Sequence, residues 1–382
     1  MKILYFIDSV SNYRSGVHAS VLQTCTIMKQ NGNQVTLIGA NENNTPPNFE
    51  NLDVIGFPTI GPKSLNILAG LRKWLKLNLK NYDLVSVETI WSFSNYFIVK
   101  ACKKYNIPYV ITAHGMLHTE ALKVSYFKKK IAKISILKSF FKNANAFHAL
   151  NSYEKLMIEK YGIKTKIFII GNGINLPDLV NTNIGGEHEL YGTFISKNYC
   201  LYLGRLHPIK GVDRLIEAWT KLNYDSNWHL VIAGDGDSTY ESYLKTLYNP
   251  TINDNISFVG FVTKQNKDLL YKNASFCVLP SHSEAFPMAI LESFSYSKPA
   301  LITTACVFEE ALKWNSAIQV ESSNDGIYSG LNQFLSKNNQ EIKEMGQNGL
   351  ELVRSEFLWD AIYKKLIYEY MLLAHSNSLI TN

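Results

Sequence analysis

Short apolar runs alternate with helix-patterned segments twice along this 382-residue chain, and a polar stretch, Asp178–Lys197, separates the two series. The first series opens with the run K-I-L-Y-F-I at residues 2–7, then a Ser/Asn-rich loop to Ser15. From Gly16 a helical spacing puts Val17, Val21, Leu22, Cys25 and Met28 on one face, before a strand at Gln34–Gly39. Strands follow at Asp83–Val87, Tyr109–Thr112, Ala146–Leu150 and Ile167–Ile170, with a helix at Phe93–Tyr105. The second series has strands at Tyr199–Leu203, Trp228–Ala233, Ile256–Phe258, Phe276–Leu279 and Ala300–Thr303, with helices such as Val212–Leu222 between them. Strand–helix–strand alternation predicts a parallel sheet with helices on both faces, because parallel strands need a long crossover. The expected fold is therefore α/β, two doubly wound Rossmann-like domains in tandem, residues 1–177 and 198–356. The apolar positions Ile362, Leu366, Ile367, Tyr370 and Met371 predict a last helix over 359–375 that packs back on the first domain. Ligands of such sheets bind at the carboxyl ends of the strands, which predicts an interdomain cleft as the site.

Two cores require apolar residues, and 46% of the chain is apolar against 18% charged. The five cysteines have no C-x-x-C spacing and several lie in apolar runs, so buried thiols in a reducing compartment are expected. The N-terminal apolar run is too short for a signal peptide and no run reaches membrane-span length, which points to a cytoplasmic protein. The net charge of +6 divides unevenly: residues 1–175 carry 22 Lys+Arg against 9 Asp+Glu, and the remainder 16 against 23. The first half is thus expected to face something anionic.

The most informative stretch is V-L-P-S-H-S-E-A-F-P-M-A-I-L-E-S-F-S-Y-S-K-P, residues 278–299. It reads as the end of a buried strand, a loop, and a helix starting near Pro287, where a missing amide hydrogen does no harm. The helix start, with its free N–H groups and dipole, suits an anion. Glu284 before the helix and Glu292 within it suggest a ligand carrying both phosphate and hydroxyls, as a nucleotide sugar does.

With G-R-L-H-P-I-K-G at 204–211, A-G-D-G-D at 233–237 and V-G-F-V at 259–262, the stretch E-A-F-P-M-A-I-L-E at 284–292 resembles the retaining glycosyltransferases of family 4, whose fold is GT-B. The first half is similar through Gly16, A-H-G-M-L at 113–117 and I-G-N-G-I at 170–174. The resemblance implies that Arg205 and Lys210 act on the donor diphosphate and that Glu292 binds the ribose. It places Glu284 beside the transferred sugar and His114 against that sugar from the other domain. It also implies donor contacts by Gly16, Phe261 and the backbone of Phe286, Pro287 and Met288. The family often has Gly-Gly where this chain has Ser15-Gly16. Retention is thought to proceed by front-face departure and attack, with no enzyme nucleophile.

No cofactor is expected beyond the nucleotide-sugar substrate, with a UDP-sugar favoured over a GDP-sugar. Asp235-Gly236-Asp237 has the D-x-D form of a metal site, but its glycines mark a tight turn, and no metal is expected. The acceptor is expected to be a saccharide, lipid-linked and of bacterial surface polysaccharide synthesis (O-antigen, capsule or exopolysaccharide), as in many relatives with an A-H-G-M-L-like run. Seven lysines (123, 128, 129, 130, 133, 138 and 142) lie between Glu120 and Glu154 with no acid among them, interleaved with large apolar residues. Residues 120–142 are thus expected to contact an anionic membrane from the cytoplasmic side, or else to form a solvated helix packed on its own sheet. No nucleic-acid motif accompanies the charge. The rival readings are a nucleotide-sugar epimerase of the same fold and a non-catalytic sugar-binding relative.

Overall fold

The computed structural model describes residues 1–11, 16–41, 52–62, 65–123, 138–178, 194, 197–222, 228–248, 251 and 254–378. The chain divides into two compact units, Met1–Asn172 with Trp359–Asn382, and Gly173–Leu358.

The first unit holds strands β1 (Lys2–Ser9), β2 (Gln34–Ala40), β3 (Asp53–Phe57), a two-stranded pair β4 (Thr59–Ile60) and β5 (Ile67–Leu68), then β6 (Leu84–Val87), β7 (Tyr109–Thr112), β8 (Ala146–Ala149) and β9 (Ile167–Ile169). Seven of them form a parallel sheet in the order β3-β2-β1-β6-β7-β8-β9. β6, β7 and β8 are buried at every residue, as expected of parallel strands covered on both faces. The order reverses direction between β1 and β6, so the loops after these two strands diverge. Asp53–Phe57 was not anticipated, because Gly56 interrupts its short apolar run; a Cβ there would come within 2.5 Å of Asn41 Cβ.

The second unit repeats the plan with β10 (Asn198–Leu203), β11 (Trp228–Ala233), β12 (Ile256–Gly260), β13 (Phe276–Leu279), β14 (Ala300–Thr303) and β15 (Ala317–Val320). These form a parallel sheet in the order β12-β11-β10-β13-β14-β15, with the reversal between β10 and β13. Where the chain enters and leaves this unit, Ile174 N–H donates to Phe357 O at 2.8 Å. Each sheet is thus doubly wound.

The final helix, Trp359–Ser378, belongs to the first unit. It buries Trp359, Ile362, Leu366, Ile367, Tyr370 and Leu373, whereas Met371 is 44% exposed and lies outside that face. Polar contacts fasten it: Asn33 Nδ2 donates to the Tyr363 hydroxyl, which donates to Asn31 O, Lys166 Nζ donates to Glu369, and the Tyr370 and Ser86 hydroxyls lie 3.1 Å apart. All five cysteines are free and buried, and burial pushes the Cys277 and Cys306 thiols up to about 12, so neither is a nucleophile near neutral pH. Among the described residues no helix is long and apolar enough to cross a membrane.

Candidate active site

In the second unit the functional loops leave the carboxyl ends of β10 and β13, either side of the reversal. After β10 the chain runs through Gly204–Gly211, and the A-G-D-G-D turn after β11 holds that run in place. Gly204 N–H donates to Ala233 O and Leu206 N–H to Asp235 O, at 3.0 and 2.8 Å. The glycines allow this approach. A Cβ on Gly234, whose φ is +137°, would sit 1.9 Å from Gly204 O, and one on Gly236 would sit 2.0 Å from Leu206 O. Asp237 caps the helix Ser238–Thr246 by accepting from Thr239 N–H at 3.0 Å. The D-x-D sequence is therefore a strap for the Arg205 loop. Among the described residues no three acid, histidine or cysteine side chains cluster as a metal site.

Arg205 is exposed and its guanidinium forms no ion pair among the described residues; its carbonyl accepts from the Tyr202 hydroxyl at 2.9 Å. His207 Nδ1 accepts from Ile209 N–H at 3.2 Å, which starts the single 3₁₀ turn Pro208–Lys210. Burial, then the charges of Arg205 and Lys210, hold the His207 imidazole below its ordinary value. Independently of that shift, Arg205 and Lys210 put two cations on one short run, an environment that suits an anion. Gly211 ends the turn at φ +67°, with Pro280 O only 2.3 Å from where a Cβ would be.

The loop after β13 is clamped from several sides. Arg214, 8% exposed, donates from Nη2 to Pro280 O at 2.7 Å and from Nη1 to the Ser322 carbonyl. The hydroxyls of Thr303 and Ser322 both donate to Ser281 O, at 2.6 and 3.2 Å, and His282 N–H donates to Ile209 O at 2.8 Å. So held, the loop carries Glu284, 8% exposed, to Lys210: Nζ lies 2.6 Å from Oε1, which also accepts from Ser281 Oγ at 2.6 Å. Oε2 of Glu284 has no hydrogen-bond partner among the described residues. The helix Met288–Ser295 begins after Pro287, and Met288 N–H already donates to Phe286 O at 2.9 Å. The Phe286 ring packs against Phe308 and Phe357, so only its backbone is available to a ligand. Glu292 pairs with Lys267 at 2.6 Å and accepts from the Tyr271 hydroxyl at 3.0 Å. Phe261, just beyond β12, is 72% exposed.

In the first unit, Gly16 opens the helix Gly16–Gln30, and a Cβ there would meet no atom within 4 Å; its neighbour Ser15 lies outside the described residues. His18, not expected in the core, is buried with Nε2 3.1 Å from Val10 O, and fixes the chain after β1. His114 follows β7 in the left-handed region at φ +47°, and Gly115 continues there at +76°. A non-glycine residue in that conformation costs about 1–2 kcal/mol, so its surroundings must enforce it. Two buried carboxylates do so. Glu88 Oε2 lies 2.7 Å from His114 Nε2, and Glu154 Oε1 accepts from Gly115 N–H at 2.6 Å.

Of the residues expected from sequence, Lys210 and Glu284 touch, while Glu292 meets two partners that sequence reading missed, Lys267 and Tyr271. Arg205 and Phe261 stand in the same unit without such contacts. His114 and Gly16 belong to the other unit. Sequence reading also missed Arg214, Ser281, Glu88 and Glu154. Arg214 had a usable signal: it sits inside the apolar helix V-D-R-L-I, where a cation needs buried acceptors.

Residues 14–177 match the family described as Glycosyltransferase Family 4, and residues 189–351 match Glycosyl transferases group 1. The chain belongs to the group 1, family 4 glycosyltransferases of GT-B fold. Among solved structures, Anabaena Alr3699/HepE in complex with UDP and glucose superposes with a TM-score of 0.79 at 16% identity, covering 98% of this chain and 100% of that one. Among curated relatives of this family, the alpha-monoglucosyldiacylglycerol synthase of Streptococcus pneumoniae is 23% identical over 79% of this chain and 70% of its own. The N,N'-diacetylbacillosaminyl-diphospho-undecaprenol alpha-1,3-N-acetylgalactosaminyltransferase of Campylobacter jejuni is 27% identical over 64% of this chain and 65% of its own. Against three uncharacterized glycosyltransferases of Methanocaldococcus jannaschii, the match spans 66%, 54% and 62% of their lengths.

Proposed function

We propose that this glycosyltransferase moves a sugar from a nucleotide-sugar donor, a UDP-sugar for preference, to a lipid-linked saccharide acceptor with retention at the anomeric carbon, in bacterial surface polysaccharide synthesis. The observation that carries the reading is the cluster at the β10/β13 reversal: Lys210 on Glu284 at 2.6 Å, on the turn that also bears Arg205. Departure of a nucleoside diphosphate builds negative charge on the leaving oxygen. Lys210, held by Glu284, and Arg205 on the same loop are the cations to receive it. Lys210 has three donors, so it can serve Glu284 and a phosphate oxygen together. Glu284 then stands one residue's contact from the departing group, suited to hold sugar hydroxyls and to stabilise positive charge at the anomeric carbon. Glu292 offers a carboxylate to ribose hydroxyls, already oriented by Lys267 and Tyr271. The HepE structure with UDP and glucose supports the donor class, and the names of the S. pneumoniae and C. jejuni relatives support a lipid-borne acceptor.

The test is a panel of UDP- and GDP-sugars scored for thermal stabilisation, nucleotide release and anomeric configuration of the product. Stabilisation and release with one donor class are expected. No response to any nucleotide sugar, or epimerisation without transfer, overturns the reading.

Turnover is expected to be unchanged by EDTA. The charge that a cation would supply comes from Arg205 and Lys210, and Asp237 is engaged as a helix cap. Activity lost on chelation and restored only by magnesium or manganese would return Asp235 and Asp237 as ligands.

The membrane contact proposed for residues 120–142 falls largely on positions 124–137, outside the described residues. Each lysine near an anionic leaflet contributes about 1 kcal/mol, and the attraction decays over a Debye length of about 8 Å at physiological salt. The native chain is expected to float with liposomes containing anionic lipid, less so as salt rises. The variant with Lys128, Lys129, Lys130 and Lys133 changed to Gln should float less. Equal flotation of the two, or none, removes this segment as the membrane contact.

A further inference from the structure

His114 lines a small cavity of the first unit with Ser20, Glu88, His148, Asn172 and Tyr370, beside the apolar Val21 and Leu366. With Ser86, which is buried behind the lining, these side chains form a directed relay. The Ser86 hydroxyl donates to Glu88 Oε1 at 2.5 Å, so its single proton is committed. The Tyr370 hydroxyl, 3.1 Å from Ser86 Oγ, must then be the donor in that contact. The other oxygen of Glu88 receives the His114 ring nitrogen at 2.7 Å. His148 is engaged separately, with Nε2 2.7 Å from Ile170 O and Nδ1 3.3 Å from Thr112 Oγ1. Glu88 sits in its place because its own N–H donates to Phe6 O at 2.8 Å, across the β1/β6 junction.

A buried carboxylate is expected to be unstable as an anion, and burial alone would raise the Glu88 carboxyl. The hydrogen bond and charge of His114, then Ser86 and His148, outweigh burial and hold it below the ordinary range. The anion therefore persists, and an anion at Nε2 demands a proton there. Nε2 therefore carries a proton in either ring state; in the neutral ring that is the Nε2–H tautomer, with Nδ1 left as an acceptor, and Nδ1 has no hydrogen-bond partner among the described residues. Glu154 completes the arrangement from the backbone side, with one oxygen on Gly115 N–H at 2.6 Å and the other on Leu150 N–H at 2.7 Å. The left-handed turn and the ring are thus fixed by two different carboxylates.

We propose that Glu88 is a positioning residue for His114, fixing the tautomer and orientation in which the imidazole meets the donor sugar, and that Ser86 and the Tyr370 hydroxyl of the returning helix hold Glu88 for that task. This rests on the reading that His114 acts on the sugar. It adds a role for the C-terminal helix that packing alone does not give: its residue 370 lies three hydrogen bonds from His114.

The test is a double-mutant cycle with Glu88→Gln and His114→Ala, because residues acting through one another are non-additive. Turnover is measured with the nucleotide sugar selected by the donor panel, UDP affinity by calorimetry, and folding by thermal melting. Glu88→Gln is expected to lower kcat about ten- to a hundred-fold, by analogy with the loss of carboxylates that orient metal-ligating histidines. UDP affinity should stay within about two-fold, since the residues proposed for the diphosphate and ribose, Arg205, Lys210 and Glu292, lie in the second unit. The double variant should be no worse than His114→Ala alone. A loss in the double variant equal to the product of the two single losses would make Glu88 a structural acid and overturn the proposal. Native turnover in His114→Ala would instead sink the reading of His114 itself, and the proposal with it. If Glu88→Gln does not fold, Tyr370→Phe and Ser86→Ala weaken only the hold on Glu88. Each should lower kcat several-fold in the native background and have no effect in the His114→Ala background. Unchanged kcat in both overturns the proposal equally.

Discussion

Arg205→Ala and Lys210→Ala are each expected to lower sugar transfer on the order of a hundred-fold, the usual cost of removing one preorganised group that stabilises a leaving oxyanion. The two should differ in what else they do. Arg205 is exposed and unpaired among the described residues, so its loss should leave the melting temperature near the native value. Lys210 Nζ is the ion-pair partner of Glu284, whose side chain is only 8% exposed. Without the lysine, that carboxylate keeps one hydroxyl, Ser281, and its desolvation is poorly compensated. A loss of about 2 kcal/mol of stability is expected, within the range for stranding a buried polar group. Steady-state kinetics and thermal melts of the two variants check both statements. Near-native turnover in both variants removes the pair from the leaving-group site. Equal melting temperatures would mean that Glu284 finds water or another donor when Lys210 is gone.

The strands legible in the sequence were those that parallel packing makes uniformly apolar. Trp228–Ala233, Phe276–Leu279 and Ala300–Thr303 have the bounds read from their patterns, because each is a run of buried residues ended by a glycine, proline or threonine turn. Edge strands were less legible. Ala317–Val320 buries only its first residue fully, so its pattern is that of any half-exposed segment. The charged residues of the candidate site were legible because they lie in motifs: Arg205, Lys210, Glu284 and Glu292 stand on or beside the reversal of one sheet. Its partners were not, since they come from distant positions. Lys267 is 25 residues from Glu292, and Ser322 is 108 residues from Arg214. Nothing local in a sequence states which far residue will face a given carboxylate. Glu88 was missed for the same reason: on its own, an acid ending V-S-V-E reads as the solvated end of a strand. Only the fold brings His114 and the Tyr370 of the last helix to it.

Gly234→Ala and Gly236→Ala should do more damage than any side-chain truncation at the site, although neither residue touches a substrate. At Gly236 an added Cβ meets Leu206 O at 2.0 Å, and at Gly234 it meets Gly204 O at 1.9 Å in a backbone conformation of φ +137°. Both obstacles are backbone atoms, so no rotamer change relieves them; the A-G-D-G-D strap and the Arg205 loop must separate. Overpacking of this kind costs roughly 1–3 kcal/mol, and the unfavourable φ adds about 1–2 kcal/mol at position 234. The separation also shifts Arg205 and the turn that delivers Lys210, and a displacement near 1 Å of a catalytic group costs about a hundred-fold in rate. Loss of activity is therefore expected to exceed what the loss of stability explains, visible as folded protein with turnover lowered at least a hundred-fold. Gly162→Ala separates the two causes: its φ is +95° but a Cβ there meets nothing within 4 Å. It should lose about 1–2 kcal/mol of stability and keep native turnover. If Gly234→Ala and Gly236→Ala behave like Gly162→Ala, with intact kinetics, the strap does not position Arg205, and the glycines of A-G-D-G-D serve only the turn.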